Sequence, residues 1–290
     1  MAEAARTIKA HKFEANVWRI AGGDLIKSET DVLAIEEPLE IRLGFVQNGK
    51  FKHQSISITM RTPGDDFDLA IGFLFTEGVL RSNDQVQAFK HCGKFPNNHN
   101  TVRIDLQPNV EIDFKRLERS SYMTSSCGVC GKGSLEALAT GAKAIAQTDF
   151  PMVSAKIINQ LPEKLRASQA VFEETGGLHA SAIFDSEGNM IALREDVGRH
   201  NALDKVIGAQ FMANKLPLSD KILFLSGRAS FELIQKAAMA GIPIVCAVGA
   251  PSSLAVDAAK EFNITLLGFV RDNRFNVYTG IERVRFDDRD

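Results

Sequence analysis

The stretch KILFLSGRASFELIQKAAMAGIPIVCAVGAPSSLAVDAAKEFNITLLGFV, residues 221–270, sets the fold class. Short apolar runs (ILFL, IPIVCAV, ITLLGFV) alternate with segments that read as helices, SFELIQKAAMAG and SSLAVDAAKEFN. Apolar runs without polar alternation suit strands buried on both faces, which favours a parallel sheet covered by helices. The strand-to-helix loops carry small residues. Ser226, Gly227 and Arg228 fill the first, and Ser252 or Ser253 caps the helix after the second. Ligands of open α/β sheets bind outside the carboxyl ends of strands, where helix N-termini attract phosphate and an arginine such as Arg228 pairs with it. Neither loop matches a dinucleotide or P-loop pattern, and tight turns alone account equally well for their composition.

Working outward, LHASAIFD (178–185) and MIALREDV (190–197) read as strands joined in a hairpin at Glu187-Gly188-Asn189. RHNALDKVIGAQFMANK (199–215) reads as a helix with Leu203, Val206, Ile207 and Phe211 on one side. AKIINQLPEKLRASQAVFEETGG (155–177) predicts helical segments broken at Pro162 and stopped by Gly176 and Gly177. Before residue 111 the chain is strand-rich. DVLAIEEPLEIRLG (31–44) and QSISITMRT (54–62) alternate apolar and polar residues around the Asn48-Gly49 turn signal. TPGDDFDLAIGFLFTEGVL (62–80) predicts one helix, capped at Asp65 or Asp66, with Phe67, Ala70, Ile71, Leu74 and Phe75 on its apolar face. VQAFKHC (86–92) and NTVRIDL (100–106) return to strands. The expected organisation is a strand-rich unit over 1–120, a loop and helix over 121–150, and an α/β unit over 151–290.

The chain has 290 residues, 44% hydrophobic and 24% charged, with a formal net charge of −2. A sizeable core is within reach without disulfide staples. The near-neutral charge gives no general attraction for nucleic acid or anionic membrane. No apolar run approaches a membrane span, and the first residues lack a secretory pattern, so the expected compartment is the cytoplasm. Four cysteines, Cys92, Cys127, Cys130 and Cys246, are too few for a disulfide framework.

SSCGVCGKGS (125–134) places Cys127 and Cys130 just before LEALATGAKAI (135–145), which looks helical. A helix N-terminus and Lys132 favour the thiolate, the form that attacks sulfur or binds metal. Glycines at 128, 131 and 133 allow close approach of a partner. Four readings stay open on these residues: a persulfide carrier, a thioredoxin-like dithiol, a zinc site, and a glycine-rich loop with incidental cysteines. The dithiol lacks a preceding strand, and zinc lacks a second ligand pair beyond His91 and Cys92. In GFVRDNRFNVY (268–278), Arg271 and Arg274 flank Asp272 and Asn273, suiting either a phosphorylated ligand or a solvated hairpin tip. His179, His200 and the crowd of Glu195, Asp196, Arg199, Asn201, Asp204 and Lys205 sit at element junctions; a solvated helix face is the plain alternative.

Together PLEIRL, MRTPGDDFDLAIGFLFTEGVL, SSCGVCGK, TGGLHASA, REDVGRHNALDKVIG, SGRASFELIQKAAMAGIPIVCAVGAPSSLAV and GFVRDNRFNVY resemble the FdhD family, sulfurtransferase accessory proteins of formate dehydrogenase. The order and spacing of these segments make the resemblance specific, and it runs over most of the chain. It implies an α/β fold, α+β overall, with a cytidine-deaminase-like three-layer C-terminal domain and a smaller strand-rich N-terminal one. It implies a sulfurtransferase that takes persulfide sulfur from a cysteine desulfurase. The acceptor is the molybdenum (or tungsten) bis(molybdopterin guanine dinucleotide) cofactor, bound as substrate, before that cofactor enters formate dehydrogenase. Carried over, Cys127 is the persulfide carrier and Cys130 a second motif cysteine. Phe269, Val270, Arg271, Asp272, Asn273 and Arg274 match the cofactor-binding segment, with Gly227 and Arg228 as further candidates. The resemblance also implies a homodimer, no metal of the protein's own, and no nucleic-acid or membrane partner. A zinc deaminase is disfavoured on residues: HAS follows the cysteines, Ser181 stands where a glutamate is needed, and Ser126 precedes Cys127. The rival reading is a protein that binds and inserts the cofactor without carrying sulfur.

Overall fold

A computed structural model of the protein describes residues 12–93, 98–112, 142, 144–145 and 151–286. β1 (Lys12–Ala21) and β2 (Asp24–Ala34) pair antiparallel as a ribbon. β3 (Glu37–Gln47) and β4 (Lys50–Arg61) form the hairpin predicted at Asn48-Gly49. Both turn residues have positive φ, 53° and 71°, as a two-residue turn matched to strand twist requires. After α1 (Asp66–Thr76), β5 (Val86–His91) and β6 (Thr101–Leu106) complete a four-stranded sheet of order β4-β3-β6-β5. Alternation along β3 buries Leu39, Ile41 and Leu43 on one face, where the apolar side of α1 packs.

Beyond residue 150, β7 (Val153–Ser154) leads into α2 (Ala155–Ser168) and α3 (Ala170–Thr175). Then follow β8 (His179–Phe184), β9 (Met190–Asp196), α4 (Arg199–Met212), β10 (Ile222–Leu225), α5 (Phe231–Met239) and β11 (Ile244–Ala247). α6 (Ser253–Glu261), β12 (Thr265–Arg271), β13 (Arg274–Thr279) and β14 (Val284–Arg285) complete the order, β14 pairing with β7. The main sheet has the order β13-β12-β11-β10-β8-β9.

Within the main sheet β10, β11 and β12, the three apolar runs of 221–270, are parallel as expected, and β8, β9 and β13 join antiparallel. The hairpin expected at Glu187-Gly188-Asn189 and a tight turn at 272–273 return the chain beside the strand it has just left. One expectation is corrected: Pro162 lies inside α2 and does not break it. Losing the bond to Ile158 and crowding that turn costs about 3 kcal/mol. Ile158, Leu161 and Leu165 are buried on one stripe against the sheet, contributing about 5 kcal/mol or more. Tertiary burial therefore carries the helix through the proline.

α2 covers one face of the main sheet. α4, α5 and α6 cover the other, packing Val206, Ile207, Ile234, Ala237 and Ala258 against Leu223, Val245 and Leu266. The result is a mixed α/β fold with helices on both sides of a sheet. The second core continues without interruption into α1, β3 and β6. α4 is thus enclosed between the main sheet and α1, and buries Asn201 to Gly208 on all sides.

Candidate functional site

The loops at the carboxyl ends of the parallel strands are stitched into one row. Ser226 extends the β8–β10 pairing: its Oγ accepts the Ala180 N–H at 2.8 Å, and its own N–H donates to the Ala180 carbonyl at 3.0 Å. The Gly249 N–H donates to the Gly227 carbonyl at 3.0 Å, and the Phe269 N–H donates to the Gly249 carbonyl at 3.2 Å. Gly227 and Arg228 are thereby brought onto the same edge as Phe269–Arg274. Gly249 is the link between them. A Cβ on Gly249 would stand 3.1 Å from the Gly227 carbonyl oxygen and 3.0 Å from Arg228 Cγ. The signal for it in the sequence is a glycine just past each of three successive buried runs.

Phe269 holds φ 56°, a left-handed conformation costing about 1–2 kcal/mol in a non-glycine residue. The β12–β13 register slips between Gly268 and Arg271, so Phe269 and Val270 bulge from the ladder. Val270 is fully buried and anchors the bulge. Phe269 is half-buried; Arg271, Asp272, Asn273 and Arg274 are exposed. Asp272 and Asn273 both take positive φ, so the segment is a tight two-residue hairpin turn. Arg271 and Arg274 are cross-strand partners. Like charges placed opposite each other repel. The Asp272 carboxylate, 3.9 Å from Arg271 Nε and open to water, relieves that repulsion weakly.

A second polar group meets this edge from β8, α4 and α5. His179 opens β8 against Gly227, where an added Cβ would sit 3.2 Å from Nδ1. Burial holds the His179 imidazole below its ordinary pKa, helped by the charges of Arg199 and His200 and opposed by Asp196. His200 Nε2 lies 3.3 Å from Ser230 Oγ and 3.8 Å from Glu232 Oε2. The neighbouring His200 imidazole pulls the Glu232 carboxyl down to about 2, against its desolvation. Both partners approach the same ring nitrogen, so serine, histidine and glutamate form no relay across the imidazole.

The charged crowd at 195–205 is a buried network and not a solvated face. Lys205 Nζ lies 2.7 Å from Asp196 Oδ2 and donates to the Thr62 carbonyl at 2.9 Å. Asn201 Nδ2 donates to Asp196 Oδ1 and to the Met60 carbonyl. Asp204 accepts from Thr76 and from Lys236 Nζ. The Glu195 carboxylate accepts the N–H groups of Val171 and Phe172 at the start of α3. These residues fasten β9 and α4 to β4, α1, α3 and α5. Their partners lie far away in sequence.

Cys127, Cys130 and Lys132 lie outside the described residues. Of the other cysteines, Cys246 is buried and its thiol is pushed up by desolvation, which makes it inert; Cys92 is half-buried. Among the described residues no cluster of histidine, cysteine, aspartate and glutamate has the geometry to hold a metal. No described helix is long and apolar enough to cross a membrane.

The model of the FdhD/NarQ family matches residues 34–285. The chain is 51% identical over 273 residues to the sulfur carrier protein FdhD of Streptomyces coelicolor, covering 92% of this chain and 94% of that one. It is 45% identical over 273 residues to the protein of the same name from Mycobacterium tuberculosis, covering 92% and 96%. Against that of Saccharolobus solfataricus it is 41% identical over 256 residues, covering 88% and 92%. A crystal structure from Desulfotalea psychrophila, described as a formate dehydrogenase accessory protein, superposes with a TM-score of 0.69 at 21% identity. That match spans 95% of this chain and all of that one and bears on the fold. The match over the whole of the folded core, and the high identities over nearly full length, establish that the chain belongs to the FdhD/NarQ family.

Proposed function

We propose that this protein is a cytosolic sulfur carrier that serves formate dehydrogenase. The Cys127 thiolate attacks the terminal sulfur of a cysteine desulfurase persulfide. The donor S–S bond breaks, the donor leaves as a thiolate, and Cys127 becomes the persulfide. The acceptor is the metal of a bis(molybdopterin guanine dinucleotide) cofactor, held through its nucleotides on the carboxyl edge of the main sheet. A homodimer suits a cofactor with two nucleotide arms.

The observation that carries the acceptor half is the stitched row Ala180–Ser226, Gly227–Gly249, Gly249–Phe269. It lines Arg228 and the opposed Arg271 and Arg274 along one edge, as recognition of a phosphorylated ligand demands. The donor half rests on the C-x-x-C spacing and on the relatives named as sulfur carriers. Maturation of formate dehydrogenase in cells carrying only Cys127→Ala tests the reading. Loss of activity with a folded variant supports it; normal activity favours a protein that binds and inserts the cofactor without carrying sulfur.

A further inference from the structure

Among the described residues β1 and β2 pair only with each other, as a sheet of their own. A two-stranded ribbon is marginal in water; a third strand or a packed face is needed to make it stable. Its base is held at the end of α3, where Lys12 pairs with Glu174 and Ala34 lies against Gly177. Further out, Trp18 and Ile20 share one face of β1 and are 69% and 65% exposed. Phe13 and Leu33, cross-strand partners on the other face, are exposed as well. A second open apolar patch lies on β4. Ile58 and Met60, 64% and 47% exposed, stand opposite Glu40 and Pro38 on the face of the four-stranded sheet turned away from α1. Exposed apolar residues are ordinary when scattered; clustered on one ribbon and one strand, they mark a contact surface.

We propose that these two patches meet between two copies of this chain: the β1–β2 ribbon of each protomer lies across β4 of the other, with Trp18 and Ile20 seated on Ile58 and Met60 across the interface. The inference rests on the homodimer reading above and names its contact surface. Three observations select a second copy as the occupant. The size fits: β1 and β2 supply 10 and 11 residues, within the ~20–30 residues a side of a stable interface. The contact closes. Only Ile35 and Glu36 separate β2 from β3, and Pro38 of β3 stands opposite Met60, so ribbon and receptor adjoin on one stretch of surface. A two-fold axis beside them lets each ribbon cover the other protomer's β4 at once. Finally, little charge opposes the approach of a like surface. At the ribbon, Arg19 and Lys27 both pair with Glu29; beside the β4 patch, Glu40 pairs with Arg42 and Arg103 with Asp105. Both patches are apolar between charges already neutralised, which is the make-up of a homodimer interface core.

Trp18 is the only tryptophan of the chain, so its fluorescence reads the contact directly. Sedimentation equilibrium of the full chain over a dilution series, with Trp18 emission followed in parallel, tests the proposal. The expected result is a dimer whose emission is blue-shifted and protected from a soluble quencher, moving to that of a water-exposed indole as the dimer dissociates. Trp18→Ser/Ile20→Ser and Ile58→Ser/Met60→Ser are each expected to weaken the dimer about 30-fold or more while keeping a cooperative unfolding transition. In the second variant Trp18 is expected to emit as an exposed indole at concentrations where the wild type is dimeric. A dimer of wild-type strength in either folded variant, or a wild-type dimer whose Trp18 stays open to quencher, overturns the ribbon contact and leaves the homodimer standing. Should a variant lose its unfolding transition, the wild-type emission decides alone. A wild type that stays monomeric throughout overturns both.

Discussion

Gly72 on α1 and Gly208 on α4 stand back to back where the two helices cross. A Cβ on Gly72 would lie 1.9 Å from the Asp204 carbonyl oxygen, and one on Gly208 would lie 1.9 Å from that of Asp68. The helices touch backbone to backbone, which fixes the strand-rich part of the chain against the main sheet through one uninterrupted core. Gly208→Ala forces the helices apart. A loss of about 3 kcal/mol is expected in urea unfolding. Gly177→Ala is the control: its Cβ meets nothing closer than 3.7 Å, so stability should hardly change.

The Asp204–Lys236 pair is buried between α1, α4 and α5, with both Lys236–carboxylate distances at 3.0 Å. Burial pushes the Asp204 carboxyl up and Lys236 pulls it back down. Lys236→Met leaves the carboxylate without its partner, and a loss of about 3–5 kcal/mol is expected. Asp204→Leu/Lys236→Met should recover much of that loss, which a double-mutant cycle by chemical denaturation will read. Recovery would show that the pair specifies the crossing more than it stabilises it.

Stability should also depend on mild acid. His179 and His91 are both held below the ordinary imidazole value, in each case chiefly by burial. The unfolded chain therefore binds protons at these positions before the folded chain does. Stability is full above about pH 6.5, falls as the pH drops through that value, and levels off once both folded imidazoles are protonated. Denaturation midpoints at pH 7.5 and 5.5 check this. His179→Gln should reduce the difference, and a midpoint that rises on acidification would contradict the assignment.

The parts of the fold legible in the sequence are those set by local rules. The β3–β4 hairpin follows from Asn48-Gly49, and α1 from a clean change of period. The parallel run β10–β12 and the β8–β9 hairpin were legible too, the first from apolar runs without polar alternation and the second from the turn residues at 187–189; the antiparallel pairing of β8 with β10 was not, because the helix between them leaves either direction open. Pro162 misled because helix propensity is local while the burial of Ile158, Leu161 and Leu165 is not. At the candidate site, Gly227, Arg228 and Arg271–Arg274 were visible as loops after buried strands, whereas Phe269 and Val270 entered only through the family resemblance. That they form one edge depends on Gly249, whose contribution is a backbone bond. The 195–205 charges stayed open between a site and a solvated face because Thr62, Thr76 and Lys236, which bury them, lie far away in sequence.

Gly268 offers a test of the stitched edge. A Cβ there would stand 2.8 Å from Pro251 Cδ and 3.0 Å from the Tyr278 ring. Gly268→Ala must therefore shift the Phe269 bulge away from Gly249. Weaker binding of GDP, the nucleotide part of the proposed acceptor, is expected, by about ten-fold or more. Unchanged affinity would remove the 269–274 segment from the nucleotide site.

The central claim is that Cys127 carries sulfur, and mass spectrometry of the intact protein addresses it most directly. The protein is incubated with an active cysteine desulfurase and cysteine, without reductant, and digested for peptide mapping. The account requires added sulfur on the Cys127 peptide, removed by reductant and absent from Cys127→Ala. Sulfur found on neither Cys127 nor Cys130 would contradict the carrier role and leave a cofactor-binding protein in its place.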